Sequence, residues 1–101
     1  PQMKVEYSAQ ADADIIEGYL YGFKNFGIVQ AEKYEHALRH AIGIIADNPY
    51  IAAERPEYSP PVRIHHHARH YIIHLINDDH ILIVRILRDE MDLMKQLRGD
   101  A

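Results

Sequence analysis
The sequence contains no cysteine. That excludes disulfide staples and thiol chemistry, and says little about compartment. No apolar run reaches membrane-spanning length, and the opening P-Q-M-K-V-E-Y does not resemble a secretory signal. The expectation is a soluble, cytoplasmic protein. A basic excess is also missing: eleven Lys and Arg stand against fifteen Asp and Glu, for a formal net charge of −4. Nucleic-acid binders usually carry a basic excess or patch, so a dominant phosphate-binding role is disfavoured. The only serines are Ser8 and Ser59, which gives a nucleophilic triad little to draw on. Glycine-rich phosphate loops and H-E-x-x-H are absent.

What the chain does have is apolar patterning. At 101 residues and 48% apolar, it is expected to form one domain, 1–101, with a modest core whose stability a partner can raise. The stretch His80 to Leu87, H-I-L-I-V-R-I-L, is apolar on both alternating faces. Ile81, Ile83 and Leu87 share one face, interrupted by Arg85, and Leu82, Val84 and Ile86 share the other. It is short and β-branched, so it reads as a central strand covered on both sides.

Upstream, Met3, Val5 and Tyr7 alternate with Lys4, Glu6 and Ser8, as in a half-buried strand. Ser8 or Asp12 starts a helix, with Ile15, Ile16, Tyr19, Leu20, Phe23 and Phe26 at helical spacing. Gly18 and Gly22 lie on one face and either admit a neighbouring backbone or meet solvent. Gly27 reads as a left-handed stop. A second helix spans about Ile28 to Ala46, with Ala31, Tyr34, Ala37, Leu38, Ala41, Ile42 and Ile45 on its apolar face, and Asn48-Pro49 closes it. The short break predicts an antiparallel αα-hairpin packed on a sheet. Tyr50 to Pro61, with three prolines, is expected to be an ordered loop with a helical turn near Ile51 to Glu54.

Val62 to His66 and His70 to Ile76 read as strands, and Asn77-Asp78-Asp79 as the turn before the central strand. Asp89 to Leu97 reads as a terminal helix, capped by Asp89, with Met91, Leu93, Met94 and Leu97 as its apolar contacts and Gly99 as its end. The order β-α-α-β-β-β defines an α+β fold: a small, mostly antiparallel sheet with an αα-hairpin on one face and a short C-terminal helix. The second face of the sheet remains apolar, to be covered by the terminal helix, a partner chain or another copy.

The eight histidines are densest at His65-His66-His67, His70 and His74. A metal needs several converging ligands, and nothing in the spacing supplies them, so no metal is expected. The plainer reading makes them rim and edge residues, some stacked on Tyr71. An acid–base ribonuclease would need a positioned acid, base and phosphate clamps. His65, His67, His74, Glu54, Glu57, Arg63, Arg69, Arg85 and Arg88 supply the types without a fixed geometry. No catalytic residue and no cofactor is therefore assigned. A buried Arg85 requires a partner; Asp89, Glu90 or Asp92 are the candidates. The other reading makes Arg85 a cationic spot on the open sheet face. Tyr21 lies off the apolar stripe and is an interface candidate, and Met91 and Met94 suit either packing or an adaptable surface.

Several segments stand out together by their order and spacing. They are Y-S-A-Q-A-D-A-D-I from Tyr7, F-G at Phe26-Gly27, Q-A-E-K-Y from Gln30 and L-R-H-A-I from Leu38. N-P at Asn48-Pro49, R-P at Arg55-Pro56, V-R at Val62-Arg63 and H-Y-I-I-H from His70 follow, and the ending I-L-I-V-R-I-L-R-D-E-M-D from Ile81 is the most distinctive. In this order and spacing they resemble the ParE branch of the RelE/ParE toxin superfamily, with one departure at Arg88, where the family often has His. The resemblance implies a RelE/ParE-like fold and a toxin of a type II toxin–antitoxin module. It implies a hetero-oligomer with a ParD-like antitoxin whose flexible segment wraps the hairpin and sheet. It further implies a toxin that inhibits DNA gyrase by binding rather than by chemistry, meeting nucleic acid only through antitoxin or target. The alternatives are a ribosome-dependent mRNA endoribonuclease of the RelE type and a non-toxic antitoxin-binding module. On this footing the expected antitoxin contacts are Ile16, Tyr19, Tyr21, Phe23, Tyr34 and Leu38. Arg63, Arg69, Arg85, Arg88 and Met91 are the expected contacts with antitoxin or target.

Overall fold
The computed structural model describes residues 3–98. Strand β1 (Lys4–Tyr7) leads into helices α1 (Ala9–Phe26) and α2 (Ile28–Asp47). Strands β2 (Glu54–Arg55), β3 (Val62–His67), β4 (His70–Ile76) and β5 (His80–Arg88) follow, and helix α3 (Leu93–Arg98) comes last. The sheet order is β1-β5-β4-β3-β2. Only the β1–β5 pair is parallel; β2–β3, β3–β4 and β4–β5 are antiparallel. The run that is apolar on both faces is thus an interior strand, as its pattern requires.

Ser8, rather than Asp12, caps α1: its hydroxyl oxygen accepts from the Ala11 N–H at 2.9 Å. The same hydroxyl donates to the Val84 carbonyl at 2.6 Å, and the Ser8 N–H donates to the Ile83 carbonyl at 3.0 Å. The helix start is therefore fastened to the central strand. Gly27 takes φ +87° between the helices, a backbone conformation open to glycine. A Cβ added at Gly22 would lie 3.5 Å from the Ala31 Cα, so the glycine face is where α1 and α2 approach closely.

One core lies between hairpin and sheet, built from Ala11, Ile15, Leu38, Ala41, Ile42, Ile45, Ile72, Ile81, Ile83 and Ile86 among others. A second cluster, on Tyr58, Val62, Ile73 and Leu87, has Ile64, Tyr71, Leu75, Val84, Leu93 and Leu97 packed against it.

The structure corrects five expectations. A β-bulge between β4 and β5, at Ile73/His74, changes the phase of β5. Ile86 therefore joins Ile81 and Ile83, and Leu87 joins Val84, an exchange that strict alternation cannot show. The turn expected near Ile51 to Glu54 is replaced by the two-residue strand β2 on the edge of β3. Helix α3 starts at Leu93, with the Asp92 carboxylate accepting from the Lys95 N–H at 3.2 Å; Asp89 instead donates its N–H to the Arg69 carbonyl. Met91 precedes that helix, and both Met91 and Met94 are exposed. Of the apolar stripe expected on α1, only Ile15 is buried, with Ala11 beside it; Ile16, Leu20, Phe23 and Phe26 face outward. The helix meets the sheet and α2 along a narrow line through Ala11, Ile15, Gly18 and Gly22, too narrow to cover the rest. The expected end of the last helix at Gly99 lies outside the described residues.

Candidate protein-binding site on the helical hairpin
The largest exposed apolar side chains lie mainly on the hairpin, not on the second face of the sheet. Ile16, Leu20 and Phe23, at i, i+4 and i+7 on α1, are 61%, 54% and 48% exposed. Phe26, Ile28 and Val29 extend the apolar surface around the hairpin tip. The sheet's second face is less open than its composition implies: Leu75, Leu82 and Val84 are only partly accessible. Tyr58 and α3 cover part of it. A groove of about 580 Å³ runs between the two helices, with Ile15, Ile16, Tyr19 and Leu20 on its floor and Asp12, Glu32, Glu35 and Arg39 around it. Arg39 sits 3.9 Å from Glu35 and over the Tyr7 ring.

Of the residues expected to touch an antitoxin, Ile16, Tyr21 and Phe23 are exposed and Tyr19 is partly so. Ile16 and Tyr19 border the groove. Tyr21 lies on another flank of α1, edge-on to Phe26, with the Arg88 guanidinium 4.7 Å from its ring centroid. Leu38 is a correction: at 1% exposure it belongs to the core, because the α2 stripe that carries it faces the sheet. Tyr34 is partly covered, and its hydroxyl shares a 2.7 Å hydrogen bond with His70 Nδ1. Burial pushes the Tyr34 hydroxyl up to about 12 and pushes His70 down.

The cationic residues do not converge. Arg63 donates to the Ala52 carbonyl at 2.8 Å and stacks over Tyr50. Arg69 is exposed in the β3–β4 turn. Arg88 pairs with Glu90. Arg85 is a second correction: its partner is none of Asp89, Glu90 or Asp92 but Asp14 on α1, with Nε at 2.8 Å and Nη2 at 3.0 Å from the carboxylate oxygens. These hydrogen bonds raise the Arg85 guanidinium above its ordinary value. Arg85 is held by Asp14 at the edge of β5, so it is not a free cation on the open sheet face. The Asp14 contact was invisible in the sequence, because only the fold brings α1 to β5.

Three of the five clustered imidazoles, His66, His70 and His74, have structural partners. His74 is fully buried and donates from Nε2 to the Pro49 carbonyl at 3.0 Å. His66 stacks on Tyr71 and donates to Asp89 at 3.3 Å. His80 donates from Nδ1 to Asp79 at 2.8 Å. Among the described residues no group of three or more His, Asp or Glu is placed to hold a metal ion. No helix among them is long and apolar enough to cross a membrane.

The fold is thus a mostly antiparallel sheet backed by one helical layer whose outer side is apolar. Residues 5–93 match the family described as "ParE toxin of type II toxin-antitoxin system, parDE", and the chain belongs to that family. It is thus a toxin component of a type II toxin–antitoxin system. A solved structure described as "Chromosomal ParDE TA system from P. aeruginosa" shares the fold, with a TM-score of 0.73 and 21% identity over 86% of this chain and 96% of that one. Among curated proteins no sequence matches.

Proposed function
We propose that the chain is a single toxin domain that acts in the cytoplasm, is neutralised by a ParD-like antitoxin and inhibits DNA gyrase by direct binding. The observation that carries the antitoxin reading is the outward stripe Ile16, Leu20 and Phe23: three large apolar side chains at helical spacing, in water, beside a groove. A stripe of that kind is a docking surface for a partner segment whose ordering entropy is offset by apolar burial. Ile16, Tyr19, Tyr21 and Phe23 contact the antitoxin, with Tyr34 at the margin. Arg63, Arg69, Arg88 and Met91 serve the antitoxin or the target, while Arg85 is occupied by Asp14. Inhibition by binding is favoured by the occupied state of three of the five clustered imidazoles, His66, His70 and His74, each of which holds a structural contact.

The test is induction of the chain with and without its co-encoded antitoxin, followed by gyrase supercoiling assays beside mRNA cleavage on ribosomes. The expected result is early arrest of DNA synthesis and loss of supercoiling. Antitoxin should rescue growth for the native chain and fail for Ile16→Asp. Cleaved transcripts with normal supercoiling would replace this reading with the endoribonuclease one, and harmless expression would leave only an antitoxin-binding module.

A further inference from the structure
The hairpin groove carries charge as well as apolar surface, and the charge is one-sided. Asp12 heads the α1 row one turn before Ile15 and Ile16, and Glu32 and Glu35 stand on the α2 side. Arg39 is the one cation in the lining, and it is already drawn to Glu35 and to the Tyr7 ring. Among the described residues, Asp12 and Glu32 have no cationic partner. The groove therefore sets an apolar α1 side, headed by Asp12, against an acidic α2 side, with a formal surplus of two negative charges, three carboxylates against one guanidinium.

We infer that the segment filling this groove is an amphipathic helix that places Lys or Arg along the flank of its apolar stripe that faces α2. The inference rests on the antitoxin reading and gives the partner a chemistry. The helical form follows from the ridge: Ile16, Leu20 and Phe23 stand at i, i+4 and i+7, the spacing that interdigitates with a second helix laid alongside. The basic flank follows from the carboxylates on α2. An acidic or neutral segment of equal apolarity would bring like or unmatched charge against Asp12, Glu32 and Glu35, which is how an interface rejects wrong partners. Exposed carboxylates at a rim act mainly on selectivity and salt dependence, so the apolar stripe sets whether the groove is filled and the carboxylates set by what.

The experiment uses the full chain and two synthetic helical peptides followed by fluorescence anisotropy. Both carry Leu at i, i+4, i+7 and i+11; one has Lys at the flanking positions and the other Glu. At low salt the Lys peptide is expected to bind at least about ten times more tightly, an advantage that high salt largely removes because exposed charges are screened. In the Glu32→Lys/Glu35→Lys variant the preference should reverse. Equal binding of the two peptides to the native chain, or binding of neither, overturns the inference; that comparison needs no variant to fold. The two failures are separable. If antitoxin rescue is lost in Ile16→Asp while the peptides bind alike, the docking site stands and the charge rule falls. If antitoxin rescues Ile16→Asp as well as the native chain, the docking site itself is wrong.

Discussion
Arg85 and Asp14, 71 residues apart in sequence, form a two-pronged pair, and the Asp14 carboxylate also accepts the Ile86 N–H at 2.9 Å. One side chain thus neutralises the arginine in the middle of β5 and satisfies a backbone donor beside the bulge. Ser8 makes the neighbouring fastening through the Val84 carbonyl. Together they fix the start of α1 over the irregular part of the strand.

Asp14→Ala is therefore expected to cost about 2–3 kcal/mol, because it strands both a guanidinium and an N–H in a place with little water. The side chains of Arg85 and Asp14 are 18% and 9% exposed, which places the estimate below that for a fully dry pair. Asp14→Asn keeps an acceptor for Ile86 and should cost less. Urea unfolding checks both, and an Asp14→Ala variant within about 0.5 kcal/mol of the native chain would contradict this account.

The element order was legible because β5 is apolar on both faces and the helices carry periodic stripes. What was not legible was non-local. Periodicity shows that Ile16, Leu20 and Phe23 lie on an apolar face, but not whether the surface that covers it belongs to this chain. Alternation assigns Ile86 and Leu87 correctly only if no residue is added, and the bulge adds one. Arg85 announced that it needed a carboxylate, yet the nearest in sequence, Asp89 and Glu90, were the wrong ones. Strand β2 is two residues in a proline-rich stretch, too short for any period. Glu32 and Glu35 line one groove with Ile16 and Leu20 only because the hairpin sets α1 and α2 side by side, which no local period shows.

Gly18 and Gly27 should respond oppositely to alanine. At Gly18 a new Cβ would meet only the Tyr34 Cε2 at 3.9 Å, an ordinary contact within a helix. Gly18→Ala is expected to stabilise the chain by about 0.5–1 kcal/mol through helix propensity. At Gly27 the space is empty but φ is +87°, so Gly27→Ala should cost about 1–3 kcal/mol in backbone strain. Thermal unfolding of the two single variants checks the signs; the same sign in both would contradict the packing described at Gly18 or the hairpin turn.

Leu38 and Ile16 separate core from contact. Leu38→Ala removes a fully buried side chain from between α2 and the sheet and is expected to cost about 2–5 kcal/mol. Ile16→Ala removes one that already faces water and should change stability by less than about 0.5 kcal/mol while weakening antitoxin binding. Unfolding curves paired with antitoxin titrations check this. A stability loss at Ile16 equal to that at Leu38 would place Ile16 in the core and remove the stripe.

His74 should make the fold sensitive to acid. Burial pushes its imidazole below the ordinary value of 6.5; the Pro49 hydrogen bond opposes the shift, and Arg63 across the β3–β4 ladder and His65 add to it. The neutral ring suits the site, with Nε2–H donating to Pro49 and Nδ1 buried without a hydrogen-bond partner. A depressed folded value means that above about 6.5 both folded and unfolded chains hold a neutral ring, and the contribution is complete. As the pH falls through 6.5 toward the folded value, the unfolded chain takes up its proton first and stability is lost, at up to about 1.4 kcal/mol per pH unit for this one group. His67 and His70 shift the same way through burial, so the native chain alone cannot isolate His74. His74→Gln can, because its amide keeps a donor for Pro49 and has no proton to gain. Urea midpoints at pH 8, 6.5 and 5.5 should show the native chain losing its advantage over His74→Gln on acidification. A difference that stays constant over this range would mean that the buried ring carries no pH-linked stability.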